Sequence, residues 1–159
     1  MNSRRLAFAV VPVIAAAGVG GLGSRRAPVT YAHLDKPSWA PAASTFGPIW
    51  TVLYATITVA GWRAYTASPG GRGLHLAQLA LNAAWPGVFF SARDKRASLA
   101  VIAALDAAVA AEVAVLGRDD RLVAALLTPY LAWCGFATAL NAAVSEPADV
   151  GRCRAAAPR

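Results

Sequence analysis

Apolar residues in this chain come in long runs rather than in alternation. The runs are separated by short segments that collect glycine, proline, aspartate and arginine. A helix needs about 20 apolar residues to cross a bilayer core, and five stretches reach or approach that length: 6–23, 47–65, 74–92, 97–117 and 122–144. Only the first linker, 24–46, is long. The other connections are short, which predicts consecutive helices packed antiparallel as neighbours. The expected architecture is an all-α membrane protein, a bundle of five transmembrane helices. Residues 1–145 form one domain on this reading, and 146–159 form a polar, basic C-terminal tail. A cleaved signal peptide is the alternative for 6–23, because Arg4 and Arg5 precede an apolar run ending in small residues. Arg25 and Arg26 close the run as a membrane boundary would, which favours a span.

Composition agrees with the pattern. Of 159 residues 57% are hydrophobic and 14% are charged, against about 25% charged in soluble domains. A net charge of +7 would suggest nucleic acid in a soluble chain. Here the basic residues sit between apolar runs, where cytoplasmic loops collect them. No block of five like charges exists to form a docking patch, so no nucleic-acid partner is expected. The larger share of the basic residues (Arg25, Arg26, Lys36, Arg93, Lys95, Arg96 and the tail arginines) falls on one side, which puts the first linker and the C-terminus in the cytoplasm.

Three spans carry stripes that mix large aromatics with polar groups. In 74–92, His75, Gln78, Asn82, Trp85 and Phe89 recur at helical spacing and share one face. Tyr130, Trp133, Ala137 and Asn141 do so in 122–144, and Trp50 and Tyr54 lie one turn apart in 47–65. Such stripes can glue helices together, since buried amides find partners across interfaces. They can also wall a pocket for a flat, largely apolar ligand. The depth of Asn82, Trp85 and Trp133 within their spans favours the pocket.

Pro12, Pro86 and Pro129 fall inside spans and should kink them. Asp106 lies near the middle of 97–117 and is a functional candidate by its depth. Glu112, six residues on, points elsewhere and is expected nearer the interface. Small residues at spacings of four in the first and fourth spans allow close approach of helices, within a chain or between two copies. Cys134 and Cys153 have no metal-type spacing and are expected to be unpaired. His33 and His75 are not motif partners, and no metal is expected. There is no nucleophile elbow, phosphate loop or metal-ligand cluster to support hydrolysis or phosphoryl transfer.

Three blocks, YAHLDKPSWAPAASTFGPIWTVLY from Tyr31, QLALNAAWPGVFF from Gln78 and LLTPYLAWCGFATALN from Leu126, follow in order. Together they resemble the tryptophan-rich sensory protein/translocator protein (TspO/MBR) family, the peripheral benzodiazepine receptor family. The resemblance implies a five-helix membrane bundle, often a homodimer, that binds porphyrins and other hydrophobic ligands in a pocket capped by the long first loop. It assigns Tyr31, Trp39 and Pro41 to that covering loop and Trp50, Tyr54, Asn82, Trp133 and Ala137 to the pocket wall. Phe46, Trp85 and Phe89 complete the expected ligand-binding set. No cofactor is required. A porphyrin such as protoporphyrin IX, or a haem-like tetrapyrrole, is the implied ligand, with membrane lipid and a second copy of the chain as partners.

By the same resemblance, Trp50 and Trp133 match tryptophans linked in some bacterial members to light-dependent breakdown of bound porphyrin; they are catalytic only on that reading. The chain departs from the family pattern at Ala42, where a second proline is usual, and at Pro86, where a serine is usual. It departs again at Val144 and Ser145, where an Ile-Trp pair often stands. No tyrosine followed by a basic residue closes the fifth span, so sterol binding through that pattern is not expected. The implied role is a membrane receptor or sensor that contributes to transport or turnover of its ligand. The alternatives are a light- and oxygen-dependent porphyrin-degrading enzyme, and a regulatory partner of another membrane protein in which the pocket is only packing.

Overall fold

The computed structural model describes residues 2–67 and 69–145. The expected tail, 146–159, lies outside them, as does Cys153. The described chain is helical: α1 (Ser3–Gly23), α2 (Ala27–His33), α3 (Phe46–Ala64), α4 (Pro69–Pro86), α5 (Lys95–Leu116) and α6 (Arg121–Ala143). Short 3-10 turns cover Ser24–Arg26 and Ala43–Thr45, and a π-helix, Gly87–Ala92, prolongs α4. Among the described residues there is no strand; one antiparallel bridge joins Asp35 to Ser145.

The five long helices close into a ring. α1 packs on α3, α3 on α6, α6 on α5, α5 on α4, and α4 returns to α1. The rule that short connections make neighbours holds for α4–α5 and α5–α6. It fails for 47–65 and 74–92, since α3 and α4 touch little and α1 stands between them. Polar groups explain the placement, because α4 turns His75, Gln78 and Asn82 inward, where all three are buried, and reaches its partners on other helices across the ring.

The bundle is an all-α membrane protein. The ranges Ser3–His33, Ala43–Ala64, Lys95–Leu116 and Arg121–Ala143 are long and apolar enough to cross a bilayer. α4 does not reach the same hydropathy, because of its inward polar face. With the π-helix it still spans 69–92, roughly 35 Å of helix against a hydrocarbon core of about 30 Å. Large apolar side chains including Val11, Ile14, Val19, Val52 and Val59 face outward, as lipid rather than water permits.

Two expectations change. The first linker is not a loop throughout. Helix continues almost unbroken past Arg25 and Arg26 into α2, where Pro28 sits in the first turn and needs no N–H partner. The second change concerns Glu112, which turns into the bundle rather than outward. It is fully buried, as is His75, and the His75 imidazole Nδ1 and Glu112 Oε1 lie 2.7 Å apart, tying α4 to α5. His75 therefore has a partner that sequence spacing did not reveal.

The apolar core runs through Val13, Leu53, Ile57, Leu79, Leu105, Val109, Val123, Leu127 and Tyr130. Asp106 is half-buried and accepts a hydrogen bond from Thr138 Oγ1 at 2.7 Å, a second α5–α6 tie. Cys134 is free and buried. Aspartates start the last two helices. Asp94 accepts from the Ala97 N–H at 2.9 Å and Asp120 from the Leu122 N–H at 3.0 Å, each meeting a donor the helix cannot satisfy itself. The Arg63 guanidinium donates to Asp120 at 2.6 Å and holds its carboxyl below the usual value of 3.8.

Candidate functional site

A cavity of about 330 Å³ opens in one half of the ring. Each wall follows from a local sequence choice. α1 contributes small residues, Ala17, Gly20 and Gly21, which leave room where larger side chains would fill the space. A Cβ built on Gly20 would meet only Pro86 Cγ at 3.7 Å and Tyr54 Oη at 3.9 Å. The turn after α1 and α2 contribute Ser24, Ala27, Pro28 and Tyr31. α3 and its approach bring Ala43, Phe46, Gly47, Trp50 and Tyr54. Asn82, Trp85, Pro86 and Phe90 come from α4 and the π-helix, and Trp133 and Ala137 from α6.

Aromatic rings pack around this space, mostly edge to face. Phe46 stands 5.5 Å from Tyr31 and 5.8 Å from Trp133, and Trp50 lies 5.3 Å from Tyr54 and 6.2 Å from Tyr130. Trp85 is held from behind, because its Nε1–H donates to Asn141 Oδ1 at 3.2 Å and Phe89 stacks on it at 5.1 Å. Asn141 is thereby committed to orienting an indole.

The polar part of the wall is one hydrogen-bonded chain across three helices. Tyr54 O–H donates to Asn82 Oδ1 at 2.9 Å, Asn82 Nδ2 donates to the Tyr130 hydroxyl at 3.0 Å, and Tyr130 O–H donates to Gln78 Oε1 at 3.1 Å. Tyr130 and Gln78 are fully buried, so this chain fixes the positions of Tyr54 and Asn82, the two members that reach the cavity. A rigid apolar wall with a small polar spot can orient a flat hydrophobic molecule by one edge.

The segment between α2 and α3 is clamped down. Tyr31 O–H donates to the Pro41 carbonyl at 2.8 Å, and the Lys36 ammonium donates to the carbonyls of Tyr31 at 2.7 Å and Leu34 at 2.8 Å. Asp35 and Ser145 exchange backbone hydrogen bonds at 2.9 and 3.1 Å. Trp39 lies against Phe136 at 5.7 Å.

Of the residues singled out by sequence, Tyr31, Phe46, Trp50, Tyr54, Asn82, Trp85, Trp133 and Ala137 lie together on the cavity wall. Three do not. Trp39 is 49% exposed and does not line the cavity. Pro41 contributes a carbonyl to Tyr31. Phe89 turns behind Trp85 toward a second, smaller cavity, while its neighbour Phe90 takes the wall position. The π-helix accounts for that exchange, since its extra residue per turn shifts the register that regular helical spacing assumes. The α1 wall was missed because its small residues read as helix-packing positions; small residues facing three aromatic stripes are the signal that finds them.

Among the described residues no three metal-ligating side chains cluster.

A family model described as TspO/MBR matches residues 8–146. The human translocator protein is 38% identical over 118 residues, covering 70% of this chain and 70% of that protein. The tryptophan-rich protein TspO of Archaeoglobus fulgidus is 33% identical over 152 residues, covering 91% of this chain and 97% of that protein. The tryptophan-rich sensory protein of Cereibacter sphaeroides is 35% identical over 113 residues, covering 70% and 72%.

Proposed function

The chain belongs to the TspO/MBR family of integral membrane proteins, and we propose that it is a receptor or sensor that takes porphyrins, such as protoporphyrin IX, and other hydrophobic ligands into the cavity between its helices. The observation that carries this reading is the meeting of Trp50, Trp85 and Trp133 with the Tyr54–Asn82 pair around a single space of about 330 Å³. Ligand sites start at about this volume, so a macrocycle enters by one edge, or fills the space after the 34–45 segment lifts. The first linker and C-terminus face the cytoplasm on the excess of basic residues there. An Asp35→Cys variant labelled in whole cells by a membrane-impermeant reagent would overturn that orientation.

Titrating protoporphyrin IX into the purified protein tests the main proposal. Saturable quenching of tryptophan fluorescence is expected, weakened in a Trp50→Phe, Trp133→Phe double variant. Absence of saturable quenching overturns it and favours a regulatory partner with no ligand of its own.

A second reading, light- and oxygen-dependent degradation of the bound porphyrin, draws on Trp50 and Trp133 sharing that wall. Indoles beside a photoexcited ring can exchange electrons with it. Illumination in the presence of oxygen should then yield product with the parent protein and much less with Trp50→Phe or Trp133→Phe; equal product eliminates the enzyme reading.

A further inference from the structure

A second, smaller cavity of about 50 Å³ lies where α2, the π-helix, α5 and α6 end or begin, and Thr30, Leu34, Phe89, Arg93, Lys95, Val144 and Ser145 line it. We propose that it is a binding site for a phosphate-class oxyanion, supplied by the headgroup of an anionic phospholipid.

Three observations converge on an anion. Arg93 closes the π-helix in the left-handed conformation, φ 56° and ψ 29°. Glycine takes that conformation without steric cost, whereas an arginine there bears a backbone cost and brings a guanidinium to the cavity mouth. Among the described residues its guanidinium has no hydrogen-bond or ion-pair partner. Thr30 is 6% exposed, yet its Oγ1 has no partner while lining the cavity. A buried hydroxyl without a partner is costly unless something else meets it. Lys95 sets one ammonium proton on the Val144 carbonyl at 2.8 Å and keeps its other donors available.

Neighbouring charges do not cancel the site. Lys36 already covers the carbonyls at the end of α2, and Lys95 covers the end of α6. The nearby acids are Asp94, which caps α5 through Ala97 N–H, and Asp35, whose backbone bridges Ser145; neither lines the cavity. Leu34, Phe89 and Val144 supply an apolar rim, and the site sits at the helix ends, where headgroups of an adjoining leaflet lie. Basic pockets between transmembrane helices favour anionic headgroups in this way.

The test compares thermal unfolding of the detergent-solubilised protein with added phosphatidylglycerol, phosphatidylcholine or inorganic phosphate. Phosphatidylglycerol is expected to raise the midpoint by a few degrees over phosphatidylcholine, as a ligand specific for the folded state does. Arg93→Gly and Thr30→Val should each remove most of that difference. Neither variant should unfold earlier than the parent without lipid, since one relieves a left-handed backbone and the other removes an unpartnered hydroxyl. Native mass spectrometry should retain one phosphatidylglycerol per parent chain and lose it in Arg93→Gly. A shift reproduced by inorganic phosphate alone assigns the site to free oxyanions and overturns the lipid as its source. Equal midpoints in every arm, or a full phosphatidylglycerol shift surviving in both variants, overturn the site itself.

Discussion

Replacing Glu112 by leucine removes one half of a fully buried pair. His75 Nδ1 loses the oxygen 2.7 Å away, and His75 Nε2 has no protein partner to begin with. The imidazole cannot swing away, because Phe8 packs on it with centroids 5.6 Å apart and Gly61 fits so closely that a Cβ there would stand 2.6 Å from Nε2. Both ring nitrogens therefore stay buried and unmet. An unsatisfied buried polar group costs about 1–3 kcal/mol, and His75 is left with two such nitrogens; a loss of about 3 kcal/mol is expected. Replacing both residues by leucine removes both needs at once and should return stability to within about 1 kcal/mol of the parent. The assay is unfolding in mixed micelles followed by intrinsic tryptophan fluorescence, on the parent, both single variants and the double. His75→Leu strands the Glu112 carboxyl in the same way, so a coupling of at least about 3 kcal/mol is the expected result. A coupling near 0.6 kcal/mol, the average for ordinary interhelical hydrogen bonds in membranes, would refute the reasoning and reduce the pair to one polar contact among many.

Tyr130→Phe should cost about 2 kcal/mol in the same assay, because Asn82 Nδ2 and Gln78 Oε1 both lose their partner. Gly20→Leu fills the cavity from α1, where a Cβ is accommodated; protoporphyrin affinity measured by quenching should fall roughly tenfold, about 1.4 kcal/mol, with little change in unfolding. Arg63 donates to Asp120 and depresses its carboxyl. Its stabilising share is therefore present above the ordinary value of 3.8 and fades as pH falls through the depressed value. An unfolding series from pH 7 to pH 3 should show Asp120→Asn less stable than the parent at neutral pH and the gap closing in acid; a gap constant across the series contradicts this.

The helical, membrane-spanning character was legible because a bilayer imposes a length and a polarity on every span, and both are written in runs such as 97–117. The stripes Trp50/Tyr54, Asn82/Trp85 and Trp133/Ala137 were legible for a related reason, since helical period alone puts each pair on one face. What sequence could not supply was which face meets which. Span order suggested α3 beside α4, whereas α1 intervenes. The partner of His75 lies 37 positions away on another helix, a relation no local spacing encodes. Phe89 and Phe90 exchanged roles because a π-helix follows Pro86, and regular 3.6-residue counting fails where the turn widens.

α4 joins these results into one physical account. Its inward face carries His75, Gln78 and Asn82 in succession, three buried polar residues where the other spans are apolar enough to be recognised by hydropathy alone. His75 binds α5, Gln78 and Asn82 bind Tyr130 of α6, and Asn82 also binds Tyr54 of α3. Between apolar helices in lipid there is no hydrophobic drive to choose a register, so directional bonds from one polar helix are what fix the rotation of its neighbours. Fixed rotation puts the indoles of Trp50 and Trp133 on the same hollow as Trp85. The cavity wall is in this sense built from the far half of α4: loosening His75 from Glu112 should blur ligand affinity even though neither residue touches the cavity.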